Sequence, residues 1–152
     1  MIGILGAGAF GRALSSVQAD AHQAVVMWGR NVSRQWRTEA FPRPAPVTDL
    51  ALPETVPLTS RIGDVDHAEV LLLAIPAQAA GAFLWKYAKS LPRVPMVLCA
   101  KGIEAEGLRL QTEVAAEYWP AEKLAVLSGP GFANEIATNL PVSYTHLRAH
   151  ET

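Results

Sequence analysis

At 152 residues the chain has the length of one domain, and with 50% hydrophobic and 18% charged residues it can bury a core and is not a disordered polymer. A formal net charge of −1 leaves no broad basic face for nucleic acid and no polybasic patch for a membrane surface. Its single cysteine, Cys99, excludes an internal disulfide framework and fits a reducing compartment.

Met1 runs straight into Ile2-Gly3-Ile4-Leu5, which reads as a buried strand. No charged n-region and no small-residue cleavage site mark a signal peptide, so a cytoplasmic location is expected. Gly6-Ala7-Gly8-Ala9-Phe10-Gly11 follows at once, and a helix over 9–20 ends near Ala21-His22. Strand, three spaced glycines and helix form the layout of a dinucleotide pyrophosphate site. Gly6 makes a turn that a side chain would block, Gly8 lets the backbone approach the phosphates, and Gly11 lets the helix pack tightly on its strand. The anion then sits at the helix N-terminus, where backbone N–H groups have no internal partner.

Ala24-Val25-Val26-Met27-Trp28 is the second strand, and Asn31 is a good N-cap for a short helix through Trp36. Residues 38–54 carry Pro42, Pro44, Pro46 and Pro53 and read as a loop. Val56 to Thr59 is a short strand, and Ile62 to His67 a turn or two of helix. Glu69 to Ile75 contains Val70-Leu71-Leu72-Leu73, the continuous apolar run of a strand covered on both faces, and Pro76 ends it. Ala77 to Leu91 has helical composition. Met96-Val97-Leu98-Cys99 is the next buried strand, Leu108 to Tyr118 a helix, Leu124 to Leu127 a strand, and Gly131 to Asn139 the start of one more helix. The longest uncharged stretch, Val70 to Trp85, is interrupted by Pro76 and Gln78 and is too short to span a membrane.

Strands alternating with helices predict an α/β fold: a doubly wound (Rossmann), mainly parallel sheet of about six strands with helices on both faces. In such sheets the ligand crevice lies outside the carboxyl ends of the strands. The segments expected there are the glycine loop, Gly29-Arg30-Asn31, Pro76-Ala77-Gln78, Ala100-Lys101-Gly102 and Ser128-Gly129-Pro130-Gly131. An NAD site usually has Asp or Glu at the end of the second strand, but no acid stands at 28–32 and Asp20 lies at the wrong edge. Arg30 there favours NADP(H), with NAD(H) as the alternative; the competing reading is a solvated surface arginine. Lys101 can hold a phosphate or polarise a carbonyl oxygen as negative charge develops on it, or is a surface lysine beside a turn. Gly129-Pro130-Gly131 offers N–H groups to an anion, or is a plain strand-to-helix turn. Cys99 ends an apolar run with no base beside it and reads as a structural thiol. His22, His67, His146 and His150 make no metal site: His146 and His150 stand at i, i+4 without a third ligand.

Taken together, Gly6 to Gly11, Trp28-Gly29-Arg30, Cys99-Ala100-Lys101-Gly102-Ile103-Glu104 and Leu127-Ser128-Gly129-Pro130-Gly131-Phe132-Ala133-Asn134-Glu135 resemble bacterial NAD(P)-dependent glycerol-3-phosphate dehydrogenase over residues 1 to about 142. The resemblance implies reversible hydride transfer between NAD(P)H and dihydroxyacetone phosphate, giving sn-glycerol 3-phosphate for phospholipid synthesis. It implies cofactor contacts at Ala9, Phe10, Arg30, Lys101 and Ala133 and substrate contacts at Lys101, Gly129 and Gly131. Pro76, after the central strand, joins Gly6, Gly8 and Gly11 on the cofactor side. The expected partner is a small phosphorylated molecule, and the expected full-length form a homodimer. Two other readings are a ketopantoate- or hydroxy-acid-type NADP-dependent reductase, and a nucleotide-binding module without catalysis.

Two features depart from the family pattern. Many relatives carry Ser or Thr at Gly131 and Ser at Ala9, so those contacts would come from backbone N–H groups here. After Pro141, Val142-Ser143-Tyr144-Thr145-His146-Leu147-Arg148-Ala149-His150-Glu151-Thr152 looks like translated sequencing-adapter sequence joined to a truncated reading frame. The expectation is a dinucleotide-binding domain over 1–142, a non-native tail over 143–152 that packs poorly, and no helical substrate domain. In the family that domain would carry the main general acid/base.

Overall fold

The computed structural model describes residues 1–30, 32, 52–129, 133–137 and 146–149. The short helix expected from Asn31 to Trp36, most of the 38–54 loop and Gly131 lie outside the described residues.

The elements in chain order are β1 (Ile2–Leu5), α1 (Ala9–Asp20), β2 (Val25–Trp28), β3 (Leu58–Thr59), β4 (Val70–Leu73), α2 (Ala77–Tyr87), β5 (Met96–Leu98), α3 (Gln111–Ala116), β6 (Leu124–Ser128), α4 (Ala133–Ala137) and β7 (His146–Ala149). They form one sheet of order β3-β2-β1-β4-β5-β6-β7, with six strands parallel and β7 antiparallel to β6. The chain runs outward from β1 through β2 to β3, then returns to lay β4 on the other side of β1. That reversal is the topological switch point of a doubly wound sheet.

Period-two alternation sorts the strand residues onto two faces. Ile4 and Met27 pack with Leu14 of α1, Val56 and Cys99 on one face. Leu5, Trp28, Leu71, Leu73 and Leu98 pack with Phe83 and Leu84 of α2 and Ala115 of α3 on the other. Leu71, Leu84 and Met96 are fully buried, and each such side chain contributes about 1.5–3 kcal/mol of transfer free energy. The continuous run in β4 is the expected signature of a strand sandwiched between layers.

Three local outcomes differ in detail from the sequence reading. The helix expected from Leu108 begins at Gln111. The Glu104 carboxylate accepts the N–H groups of Glu106 at 2.9 Å and Gly107 at 2.8 Å, and Ile103 bridges Leu110 in antiparallel fashion. That local hydrogen bonding folds 103–110 into a turn, with Leu108 in the left-handed region at φ 53°, before the helix can start. Helix α2 stops at Tyr87 and a 3₁₀ turn, Ala88–Ser90, finishes the segment. Third, where a loosely attached tail is expected, residues 146–149 extend the sheet as β7. An open edge at β6 presents unpaired backbone groups, and pairing with them is largely indifferent to the side chains of the incoming segment.

Candidate functional site

The three glycines meet three different physical demands. Gly6 has φ +123°, and a Cβ built on it would fall 2.4 Å from the Ala74 carbonyl oxygen. Its own N–H donates to the Trp28 carbonyl at 2.9 Å, which fixes the turn leaving β1. Gly11 lies where the first turn of α1 crosses β1, and a Cβ there would fall 2.0 Å from the Gly6 carbonyl oxygen. Gly8 is the opposite case: among the described residues, a Cβ on it would meet nothing within 4 Å. Packing and backbone conformation therefore do not require glycine at Gly8, whose φ is −74°. The open space beside it is what an approaching ligand needs.

Gly8 is also the N-cap of α1, and the first intrahelical bond runs from Arg12 N–H to its carbonyl at 3.0 Å. By helix geometry the N–H groups of Ala9, Phe10 and Gly11 have no intrahelical acceptor and point out of the helix start. Among the described residues no side-chain hydrogen bond caps this end. The Phe10 side chain packs inward against the Ile4 cluster, so any contact it makes with an anion is through its backbone.

A cleft of about 440 Å³ opens at this point. Its floor is Gly6, Ala7 and Gly8. Trp28, Arg30 and Val32 wall it from the end of β2, and Ala74, Ile75 and Pro76 from the end of β4. Trp28 is held by its indole N–H, which donates to the Ser60 carbonyl at 3.1 Å, and by Phe83 and Tyr87 at ring separations of 5.2 and 5.4 Å. Arg30 is exposed at the rim. The donor set suits a dinucleotide: N–H groups and a helix N-terminus for the pyrophosphate, a guanidinium for a further phosphate, and apolar Val32 and Ile75 for a flat base.

Four of the expected cofactor positions, Gly6, Gly8, Arg30 and Pro76, thus line one cleft, with Gly11 buried beneath it. Lys101 and Gly129 do not line it. They follow β5 and β6, so the carboxyl edge of the sheet reads, from one side to the other, Arg30, Gly6–Gly8, Pro76, Lys101, Gly129. Three strand spacings separate β2 from β5, roughly 14 Å. Lys101 is exposed. Ala133 opens α4, which packs against α1. Val32 and Ile75 are wall residues that the sequence reading passes over; their position just past β2 and β4 is the signal that identifies them.

Burial pushes the Cys99 thiol up to about 12, which suits a structural side chain and not a nucleophile. Among the described residues no group of three His, Cys, Asp or Glu side chains could hold a metal ion, and no helix is long and apolar enough to cross a membrane. His146 stands in β7, and residue 150 lies outside the described residues.

The sequence model of the family described as NAD-dependent glycerol-3-phosphate dehydrogenase N-terminus matches residues 1–151. Glycerol-3-phosphate dehydrogenase (NAD(P)+) of Zymomonas mobilis is 40% identical over 147 residues, covering 95% of this chain and 42% of the relative. The Roseobacter denitrificans protein of the same name is 38% identical over 145 residues, covering 95% of this chain and 45% of the relative. Among solved structures, glycerol-3-phosphate dehydrogenase of Coxiella burnetii superposes with a TM-score of 0.74 at 27% identity, covering 93% of this chain and 44% of that one. The chain therefore spans less than half the length of the relatives it matches.

Proposed function

The chain belongs to the family of the NAD-dependent glycerol-3-phosphate dehydrogenase N-terminus, and from that premise we propose that it is the cofactor-binding part of an NADP(H)-linked glycerol-3-phosphate dehydrogenase, with NAD(H) as the secondary cofactor. The observation that carries this reading is the cleft at the switch point, where Gly8 borders a space that none of the described residues fills. When bound, the dinucleotide supplies the hydride that reduces dihydroxyacetone phosphate to sn-glycerol 3-phosphate, a precursor of phospholipids.

The chain's own residues have distinct tasks in this reading. The N–H groups opening α1 hold the pyrophosphate, and Arg30 holds the 2′-phosphate. Lys101 stabilises negative charge on the substrate oxygen and touches the nicotinamide side of the cofactor, with Gly129 and Gly131 beside the substrate and Ala133 beside the cofactor. The proposal includes a cofactor domain over 1–142, a tail over 143–152 foreign to it, and a main general acid/base in the part of the relatives that this chain does not match. A cytoplasmic setting, a homodimeric full-length form and no nucleic-acid partner belong to the same proposal. Low turnover of dihydroxyacetone phosphate by this polypeptide alone follows, because a carbonyl and a nicotinamide must be held at about 3–3.5 Å. Fluorescence titration with NADPH and NADH tests the reading: tighter binding of NADPH supports it, and no binding of either by the folded chain refutes it.

A further inference from the structure

Lys101 has to reach its place from a loop, and the structure shows what holds that loop. Gln78, in the first turn of α2, spends both ends of its amide on it. The Gln78 Nε2 donates to the Ile103 carbonyl at 2.8 Å, and its Oε1 accepts the Ala105 N–H at 2.9 Å. Two bonds from one planar amide to backbone groups two residues apart fix direction as well as distance.

The held segment is itself a stiff body. Glu104 N–H donates to the Arg109 carbonyl at 2.8 Å, the Glu104 carboxylate caps the turn at Glu106 and Gly107, and Arg109 pairs with Glu117 on the far side. Lys101 and Gly102 join β5 to this body, and Gly102 has φ +103°. Moving the 103–105 end therefore moves Lys101. The other end of the tether starts at Pro76 on the cofactor cleft, two residues before Gln78. One side chain thus ties the wall of the cleft to the loop that carries the lysine.

We propose that Gln78 is a positioning residue for Lys101, fixing the lysine against the nicotinamide half of the dinucleotide. This rests on the reading of Lys101 given above. Gln78 is exposed and outside both buried clusters, so removing its amide leaves the core intact.

The test compares two probes on this chain: NADPH, which spans the sheet edge from Arg30 to Lys101, and 2′,5′-ADP, which reaches only the Arg30 end. Lys101→Ala weakens NADPH binding by about tenfold or more, as for a lost charge-assisted hydrogen bond. Gln78→Ala weakens it several-fold and leaves 2′,5′-ADP unchanged. The double variant binds NADPH no more weakly than Lys101→Ala alone, because Gln78 acts through the lysine. Gln78→Glu has the same shape without the donor to Ile103 and serves as a second variant judged by the same criteria. Equal loss of both probes, fully multiplicative losses in the double variant, or an NADPH affinity untouched by Lys101→Ala each overturns the inference. Absence of NADPH binding by the unsubstituted chain is a different outcome: it removes the functional reading itself.

Discussion

Gly11 stands so close to the Gly6 carbonyl that a Cβ on it would fall 2.0 Å from that oxygen. This contact seats α1 on β1 and aims the helix start at the cleft. Gly6→Ala and Gly11→Ala are accordingly stability variants. Each forces a carbon into backbone, and Gly6→Ala adds a left-handed φ of +123°. Each is expected to cost about 3 kcal/mol or more, read as a fall in the denaturant midpoint. A midpoint unchanged in both would mean the glycine turn is slacker than described.

Arg30 is the specificity element of the cleft. Arg30→Asp places a carboxylate where the 2′-phosphate is proposed to sit and should cut NADPH affinity by roughly 10- to 100-fold, as expected for losing a charge-assisted hydrogen bond. NADH affinity should hold or rise. The two dissociation constants, measured side by side, check it; an unchanged ratio would place Arg30 in solvent.

Leu108 holds a left-handed φ of 53° and is 73% exposed, so it has strain without compensating burial. Leu108→Gly should stabilise the chain by about 0.5–1 kcal/mol once the greater freedom of glycine in the unfolded state is subtracted. Equilibrium unfolding in urea measures this directly, and a destabilised variant would count against the turn geometry.

The Glu104 carboxylate lies below its ordinary value of 4.5, chiefly because the Gly107 and then the Glu106 N–H donate to it, with Arg109 adding to the effect. A depressed folded value means the unfolded chain binds the proton more tightly. The stabilisation is therefore complete above 4.5 and is lost as pH falls through the lower folded value. Glu104→Gln should flatten the acid limb of the stability curve and leave its neutral shape alone. Identical acid limbs for the two proteins would disprove the linkage.

The layered fold was readable from residues such as Val70–Leu73 and Met96–Leu98, because a strand buried on both faces has to be apolar at every position. Gly6, Gly8 and Gly11 were readable for the same reason: turn, approach and packing each demand glycine at a set distance from a strand end. What escaped the sequence depends on partners far away in the chain or on backbone alone. Leu108 and Leu110 look like helix residues until Glu104 is seen to fold the turn beneath them. Gln78 looks like any polar residue on a helix until Ile103 and Ala105, 25 and 27 positions later, meet its amide. The pairing of 146–149 with β6 uses main-chain groups that every residue carries.

An NADPH titration of the native chain beside Gly8→Val tests directly whether the dinucleotide lies against Gly8. A Cβ built at Gly8 meets no atom of the described residues within 4 Å, and losing glycine at an N-cap costs about 1 kcal/mol, so the variant stays folded. Saturable NADPH binding by the native chain, and its loss in Gly8→Val at a nearly unchanged unfolding midpoint, are the expected results. Equal binding by the two proteins would contradict it, because the dinucleotide would then lie somewhere other than against Gly8.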